Sequence, residues 1–134
     1  MKNLNSKAHG YIDFALIATL FIAPNLLGLE GFPKQLSYFL GTVQTVLVFI
    51  TAYPFGIFKL VPFQVHGALE VPVPLSMLAA PWIDDFSTAL GARNYYLALA
   101  LAVSVVWVMT DYRAVSISVK SRASLNVRAR HVNA

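Results

Sequence analysis

Four long apolar runs dominate the sequence, at residues 10–29, 36–55, 66–83 and 89–110. An α-helix rises about 1.5 Å per residue, so roughly 20 apolar residues cross the hydrocarbon core of a bilayer. Within lipid, an apolar segment of this length satisfies its own backbone hydrogen bonds as a helix. The sequence therefore predicts an all-α integral membrane protein with four transmembrane helices.

The composition agrees with a membrane location. Hydrophobic residues make up 57% of the 134 residues and charged residues only 12%, whereas a soluble protein has about 25% charged residues. Asp13 lies near the start of the first run, which is not typical of a cleaved signal peptide, so we expect this run to be retained. The sequence contains no cysteine, which excludes disulfides, thiolate metal sites and a cysteine nucleophile.

Two stretches share the pattern of a histidine, a glycine and, after two further residues, an acid. They run from His9 to Asp13 and from His66 to Glu70, and they stand 57 residues apart. The same spacing relates Pro24 to Pro81, and matching residues continue as far as position 48. The chain is therefore predicted to contain two copies of one unit.

The predicted organisation follows from these two copies. Repeat 1 covers residues 9–56 and repeat 2 covers residues 66–112, with an inner-face connection at 57–65. A short segment, 1–8, precedes the repeats, and a basic tail, 113–134, follows them. Because each repeat contains two helices, the repeats are expected to lie parallel, around a pseudo-twofold axis along the membrane normal.

The basic residues predict the orientation in the membrane. Eight of the ten Lys and Arg residues fall on the side of the two termini, and only Lys34 and Arg93 fall on the other side. Short cytoplasmic loops collect basic residues, so both termini are expected in the cytoplasm, with the helices in a bacterial inner membrane. We expect the tail to be solvated; attachment to anionic lipid headgroups is the alternative.

The two repeated stretches are also the candidate functional site. Residues four apart share a helix face, so His9 with Asp13 and His66 with Glu70 form two potential pairs at one depth. Two imidazoles and two carboxylates suit a divalent transition metal, and histidines farther apart could hold a haem. A proton or ion path, a lipid or quinone pocket, and simple anchoring of helix ends are the other interpretations.

Further residues are expected around this cluster. Tyr53, Lys59, Asp111 and Tyr112 follow the second helix of each repeat and are predicted to close over the same face. Pro72 and Pro74 each lack an amide hydrogen and crowd the preceding turn. They predict a kink or an irregular turn beside Glu70.

Other repeated residues have a structural interpretation. At the 57-residue spacing, Gly41 and Thr45 correspond to Ala98 and Ala102, and small residues four apart let membrane helices approach closely. This packing could close the chain itself or join two copies. We also expect Pro24 and Pro81 to bend or end their helices and Trp82 to lie at the membrane interface.

The repeated pattern resembles a known family. The doubled His-Gly-acid stretches, the sequence Ala80-Pro81-Trp82 and the sequence Thr110-Asp111-Tyr112 are similar to those of the bacterial SPW-repeat membrane proteins, over about residues 7–112. Alanine replaces serine of the Ser-Pro-Trp motif in both copies, and the first copy has Asn25 in place of tryptophan. The resemblance implies two repeats and four membrane helices, and it implies no activity.

Motifs of soluble enzymes are absent from the sequence: there is no phosphate-binding glycine loop, G-x-S-x-G, HExxH or dinucleotide fingerprint. We therefore expect a small inner-membrane protein without enzymatic activity, a binding or accessory subunit with an inner-face cluster. The first alternative is a haem or metal protein that uses His9 and His66, and the second is a proton-coupled transporter or channel. The expected partners are the bilayer, a second copy or another membrane protein, and not nucleic acid.

Overall fold

Five α-helices account for most of the described chain, so the all-α fold class is confirmed. The computed structural model describes residues 4–84, 86–113 and 128. Two short strands lie between the second and third of these helices. In chain order the elements are α1 Ser6–Leu26, α2 Gly31–Ile50, β1 Thr51–Ala52, β2 Val61–Pro62, α3 Phe63–Glu70, α4 Pro72–Ile83 and α5 Leu90–Met109.

Helix α1 has a defined beginning and end. The Asn5 side chain accepts hydrogen bonds from the amides of Lys7 and Ala8, at 3.1 and 2.9 Å, which satisfies two of the free amides of the first turn. Pro24 lies in the last turn of α1, and Gly28 follows with a φ of +61°. A residue without a Cβ adopts this left-handed conformation at little cost, so the chain turns here towards α2.

The third predicted helix is broken where the prolines predict it. Helix α3 ends at Glu70 and α4 begins at Pro72, with only Val71 between them. Proline cannot donate a hydrogen bond to the preceding turn. The Val71 amide instead bonds to the Ala68 carbonyl, at 3.4 Å. This interruption leaves the backbone of Glu70 next to an irregular turn.

The helix bounds correct the predicted runs in part. Two helices, α1 and α5, are long and apolar enough to cross a membrane by length and composition. Helix α2 occupies residues 31–50 instead of the predicted 36–55, because residues 51–52 form a strand. The third run, predicted at residues 66–83, is divided between α3 and the 12-residue α4. The last helix, at 90–109, differs from the predicted 89–110 by one residue at each end.

Two short parallel pairings tie the two repeats together at the end of the bundle where α1 begins and α5 ends. In the first, Thr51 of β1 pairs with Val61 of β2. In the second, Leu4 pairs with Thr110 through an isolated parallel bridge. Each pairing joins the segment just before a histidine-bearing helix to the end of the second helix of the other repeat.

The second helices of the two repeats correspond at a spacing that differs from the predicted one. Both ends of α2 and α5 are 59 residues apart, not 57. At this spacing the counterpart of Gly41 is Ala100, and both residues are buried. The spacing changes because the connection between α4 and α5 is two residues longer than the one between α1 and α2.

This change of spacing corrects the predicted packing face. Ala98 and Ala102 are exposed, so of the two alternatives that the 57-residue spacing left open, packing within the chain does not apply to them. Gly41 does lie in a tight contact, since a Cβ there would be 3.0 Å from the Phe21 ring. Thr45 is half-buried, and its hydroxyl donates to the Gly41 carbonyl. A face of Ala98 and Ala102 towards a second copy stays a prediction.

The main core lies between the two helix pairs, away from the termini. Leu20, Met77, Tyr96 and Ala100 are among its most buried members, each at most 1% exposed. Pro24 and Pro81 are also buried, and each lies in the last turn of its helix. Trp82, by contrast, is 60% exposed. The prolines thus lie buried in the last turns of helices that continue two residues beyond them, and the tryptophan lies on the surface.

The basic tail predicted at residues 113–134 lies outside the described residues, apart from Arg113 and Arg128.

Candidate functional site

The four residues singled out by the repeated pattern lie together in the structure. His9 and Asp13 come from α1, and His66 and Glu70 come from α3. One ligand atom from each residue can be chosen so that all four atoms lie within 4.8 Å of one another. The residues are between 0 and 4% exposed, so this four-residue cluster is buried.

Each histidine faces both carboxylates. The Nε2 atom of His9 lies 3.4 Å from an oxygen of Asp13 and 3.4 Å from an oxygen of Glu70. The Nε2 atom of His66 lies 3.8 Å from Asp13 and 3.2 Å from Glu70. The helix spacing accounts for the contacts within each pair, and the side-by-side placement of α1 and α3 accounts for those between the pairs.

The other nitrogen of each histidine bonds to a threonine of the opposite repeat. The Nδ1 atom of His9 lies 2.9 Å from the Thr110 hydroxyl, and that of His66 lies 2.8 Å from the Thr51 hydroxyl. Both threonines follow directly after the second helix of a repeat. The histidine of one repeat is therefore positioned by the other repeat.

The threonines also fix the tautomer of the histidines. The Thr110 hydroxyl donates its single hydrogen to the Val106 carbonyl, at 2.7 Å, and the Thr51 hydroxyl donates to the Leu47 carbonyl, at 2.5 Å. Each hydroxyl oxygen can then only accept from the imidazole. The hydrogen of a neutral imidazole is consequently on Nδ1, and the lone pair on Nε2 points towards the carboxylates.

The two Nε2 atoms are the unusual feature of the cluster. Both are buried, and neither has a partner with full hydrogen-bond geometry among the described residues, although both lie within ion-pair distance of the carboxylates. Buried polar atoms almost always have a partner, and a lone pair that faces a carboxylate oxygen in a low-dielectric interior is repelled by it. The arrangement is therefore suited to a cation located between the imidazoles and the carboxylates.

The carboxylates are held by neutral donors. Asp13 accepts from the Gln44 side-chain amide and from the Tyr53 hydroxyl, both at 3.1 Å. Glu70 accepts from the Tyr112 hydroxyl at 2.6 Å. Burial, together with the neighbouring Glu70 carboxylate, raises the pKa of Tyr112 above its usual value. The phenol consequently stays protonated and donates to the carboxylate.

Aromatic rings cover the cluster on the side where α1 begins and α5 ends. The Phe63 ring stacks on the Tyr53 ring, with centroids 5.5 Å apart, and lies 4.9 Å from the Tyr112 ring. It also contacts the His9 ring, at 5.4 Å. All three covering rings are at most 8% exposed, so the cluster is closed on this side.

The two glycines of the repeated pattern allow this cover to approach. A Cβ added at Gly67 would lie 2.6 Å from the Tyr112 ring, and one added at Gly10 would overlap the Phe55 ring. Any other residue at these positions would displace the rings. The glycine beside each histidine is therefore required by close packing against the aromatic cover.

The sequence identified some of the surrounding residues and missed others. Tyr53 and Tyr112 contact the cluster, as described above. Lys59 is exposed, and Asp111 accepts from the Arg113 amide, so neither of them is part of the cluster. Gln44 and Phe63 were not predicted as site residues, and Thr51 and Thr110 were expected only as parts of the helix ends that close over the same face. A signal for the threonines exists in the repeated Thr-x-Tyr at the ends of α2 and α5.

The geometry distinguishes between the two cofactors that the sequence suggested. In a tetrahedral site with metal–ligand bonds of about 2.0–2.2 Å, neighbouring ligand atoms stand about 3.4 Å apart. The four histidine–carboxylate distances, from 3.2 to 3.8 Å, lie near this value, with the two distances to Asp13 made to different oxygens of its carboxylate. A haem held between two histidines needs an open plane in front of their nitrogens, whereas Asp13 and Glu70 lie in front of both Nε2 atoms. The donor set therefore suits a single metal ion better than a porphyrin.

Comparisons of the chain with protein-family models, with curated proteins and with solved structures found no match.

Proposed function

We propose that this chain is a membrane protein that binds one divalent transition-metal ion between His9, Asp13, His66 and Glu70. The observation that carries the proposal is the pair of buried Nε2 atoms that lack a hydrogen-bond partner among the described residues. A metal ion would accept both lone pairs and both carboxylates at once. The threonines and tyrosines behind these ligands have the arrangement of outer residues that orient metal ligands in proteins.

Charge supports a divalent ion in particular. When both imidazoles are neutral and both acids are ionised, the cluster carries a net charge of −2, and the four residues are almost completely buried. Unbalanced charge is costly in such an environment, and one divalent ion makes the cluster neutral. Nitrogen and carboxylate ligands in a tetrahedral arrangement suit zinc and its neighbours better than calcium or magnesium, which prefer six or more oxygen ligands.

The location in a membrane is part of the same proposal. Large apolar side chains are exposed along α2 and α5, among them Phe39 at 63%, Leu101 at 67% and Val105 at 47%. These surfaces would be unfavourable in water and are compatible with lipid. We propose four membrane passes, with α3 and α4 forming one interrupted pass, and two parallel repeats around a pseudo-twofold axis. Cytoplasmic termini, a bacterial inner membrane and membership of the SPW-repeat family belong to this proposal, and the charge distribution and the repeated motifs support them.

Metal analysis of the purified protein tests this function. The protein is extracted in detergent, treated with a chelator, incubated with Zn²⁺ and desalted, and the bound metal is measured by mass spectrometry. We expect one Zn²⁺ per chain and a higher unfolding temperature with the metal, because an ion that binds only the folded state stabilises it.

Matched variants connect the metal to the cluster. His66→Gln and Glu70→Gln should each lose stoichiometric Zn²⁺. The controls are His131→Ala, which changes the third histidine of the sequence, and Glu30→Gln, which changes an exposed acid; both should bind like the wild type. Stoichiometric Zn²⁺ in the two cluster variants, or none in the wild type, would contradict the proposal.

A further inference from the structure

A cavity of about 180 Å³ lies directly beside the four-residue cluster, between α1 and α5. Asp13 and Glu70 both line it, and the other lining residues are apolar except Thr19. The cavity thus combines apolar walls with the two carboxylates that face the proposed metal. Ligand sites in proteins usually have this composition, with a few polar groups in an apolar surface.

The mouth of this cavity faces outward from the helix bundle. Ala15 and Ala102 line it and are exposed, Thr19 is half-buried, and Val103 is buried. In the proposed membrane orientation these exposed residues lie within α1 and α5, the two helices that are apolar enough to span the bilayer. The cavity therefore opens towards lipid, while the aromatic cover closes the cluster on the side where α1 begins and α5 ends.

The related position in the other repeat is built differently. A cavity of about 400 Å³ lies between α2, α1 and the α3–α4 segment, and its described lining includes Gln44 but neither carboxylate of the cluster. The Gln44 amide binds Asp13 on that side. The counterpart of Gln44 at the 59-residue spacing is Val103, which has no polar group. The repeats thus differ where the cluster meets lipid, and the carboxylates line the cavity beside α5.

We propose that the cavity between α1 and α5 binds the head of a neutral, bilayer-dissolved molecule: a single ring that carries a hydroxyl or carbonyl oxygen. The oxygen would add to the metal as a fifth ligand between Asp13 and Glu70. This inference rests on the proposed metal function and names the class of ligand for the same site. It also names a class of ligand for the binding role that the sequence led us to expect.

Size and charge define this class. A cavity of about 150 Å³ accommodates a benzene-sized ring, so the 180 Å³ here holds one ring with a substituent while any longer tail stays in lipid. With a divalent ion, the cluster has no net charge, and a charged head would add an unbalanced charge in an apolar environment. A neutral oxygen avoids this cost, and zinc-type sites can expand from four to five ligands.

Cobalt spectroscopy tests the inference on the intact protein in lipid nanodiscs. Co²⁺ replaces Zn²⁺, and its visible absorption reports the number and type of its ligands. Phenol is then titrated as the probe, with toluene as a control of similar size that has no oxygen. We expect a saturable spectral change with phenol and none with toluene.

Variants locate the binding site. Ala102→Phe should fill the cavity and weaken the response to phenol at least about tenfold, while Co²⁺ binding is retained. Ala15→Leu is a second variant on the opposite wall in case the first does not fold. The matched control is Val43→Phe, because Val43 is the counterpart of Ala102 and lines the cavity beside α2; it should respond like the wild type.

The outcomes separate this inference from the metal function. If Co²⁺ does not bind the wild type, both proposals fail. If Co²⁺ binds and phenol has no effect, or if both cavity variants respond normally, only the ligand proposal fails. A dimer that Ala102→Phe converts to a monomer in size-exclusion chromatography with light scattering would show that a second copy covers the cavity, and this would also overturn the ligand proposal.

Discussion

Replacement of Thr110 by valine tests how the cluster is oriented. The Thr110 hydroxyl is completely buried, accepts a hydrogen bond from His9 Nδ1 and donates one to the Val106 carbonyl. Valine has nearly the same shape as threonine but no hydroxyl. Thr110→Val should therefore leave the packing intact while the Nδ1–H group of His9 loses its acceptor.

The size of the effect can be worked out from these contacts. A buried donor left without a partner costs about 1–3 kcal/mol, and this cost falls on the stability of the metal-free protein. Loss of the outer partner of a metal-binding histidine typically lowers metal affinity about 10–100-fold, which equals about 1.4–2.8 kcal/mol. We expect both effects in Thr110→Val, and the same in Thr51→Val because His66 has the same contact.

Zn²⁺ affinity is measured by competition with a coloured chelator, and stability by thermal unfolding followed by circular dichroism. Thr110→Ser, which restores a hydroxyl, should bind Zn²⁺ nearly like the wild type. The matched control is Thr42→Val, because the Thr42 hydroxyl also donates to a carbonyl four residues earlier and Thr42 is exposed. A Zn²⁺ affinity of Thr110→Val within about twofold of the control would refute the assignment of the tautomer.

Three further predictions concern the cover, the repeated glycines and the orientation. Tyr112→Phe removes the donor to Glu70 and should lower the free energy of unfolding by about 1–3 kcal/mol, measured by chemical denaturation; an unchanged value would contradict the role of this hydrogen bond. Gly67→Ala should destabilise the protein by about 1–3 kcal/mol, because its Cβ would lie 2.6 Å from the Tyr112 ring, whereas Gly91→Ala, with nothing within 4 Å, should not destabilise it. A reporter fused after Ala134 should be active in the cytoplasm, and periplasmic activity would overturn the predicted orientation.

The repeated pattern predicted much of the fold because each of its residues has a local structural requirement. A residue four places after another lies on the same helix face, so His9 with Asp13 and His66 with Glu70 could be paired without a structure. Pro72 predicted the break in the third run because proline cannot continue the hydrogen bonds of the preceding turn. These inferences depend only on the geometry of residues that are close together in the sequence, so they can be made without a structure.

The parts that the sequence did not predict depend on contacts between distant segments. The predicted spacing of 57 residues holds for α1 against α3 and α4, but α2 against α5 follows a spacing of 59. Residues on both sides of the longer loop still match by chance at the 57-residue spacing, as Tyr38 and Tyr95 do, and such matches concealed the change. The contact of Gln44 with Asp13 also joins two helices, and no local pattern specifies it.

The exchange of partners between the repeats has a consequence for the history and the assembly of this chain. His9 depends on Thr110 and His66 depends on Thr51, and the bridges at Leu4 and Val61 cross in the same way. A single repeat contains one histidine, one acid and one threonine. That threonine contacts the histidine of the other repeat and not the histidine of its own. A protein with only one copy of the unit would complete the four-ligand set only as a symmetric homodimer. If the two halves of the present chain are expressed separately, neither half alone should bind the metal, and the two halves mixed together should.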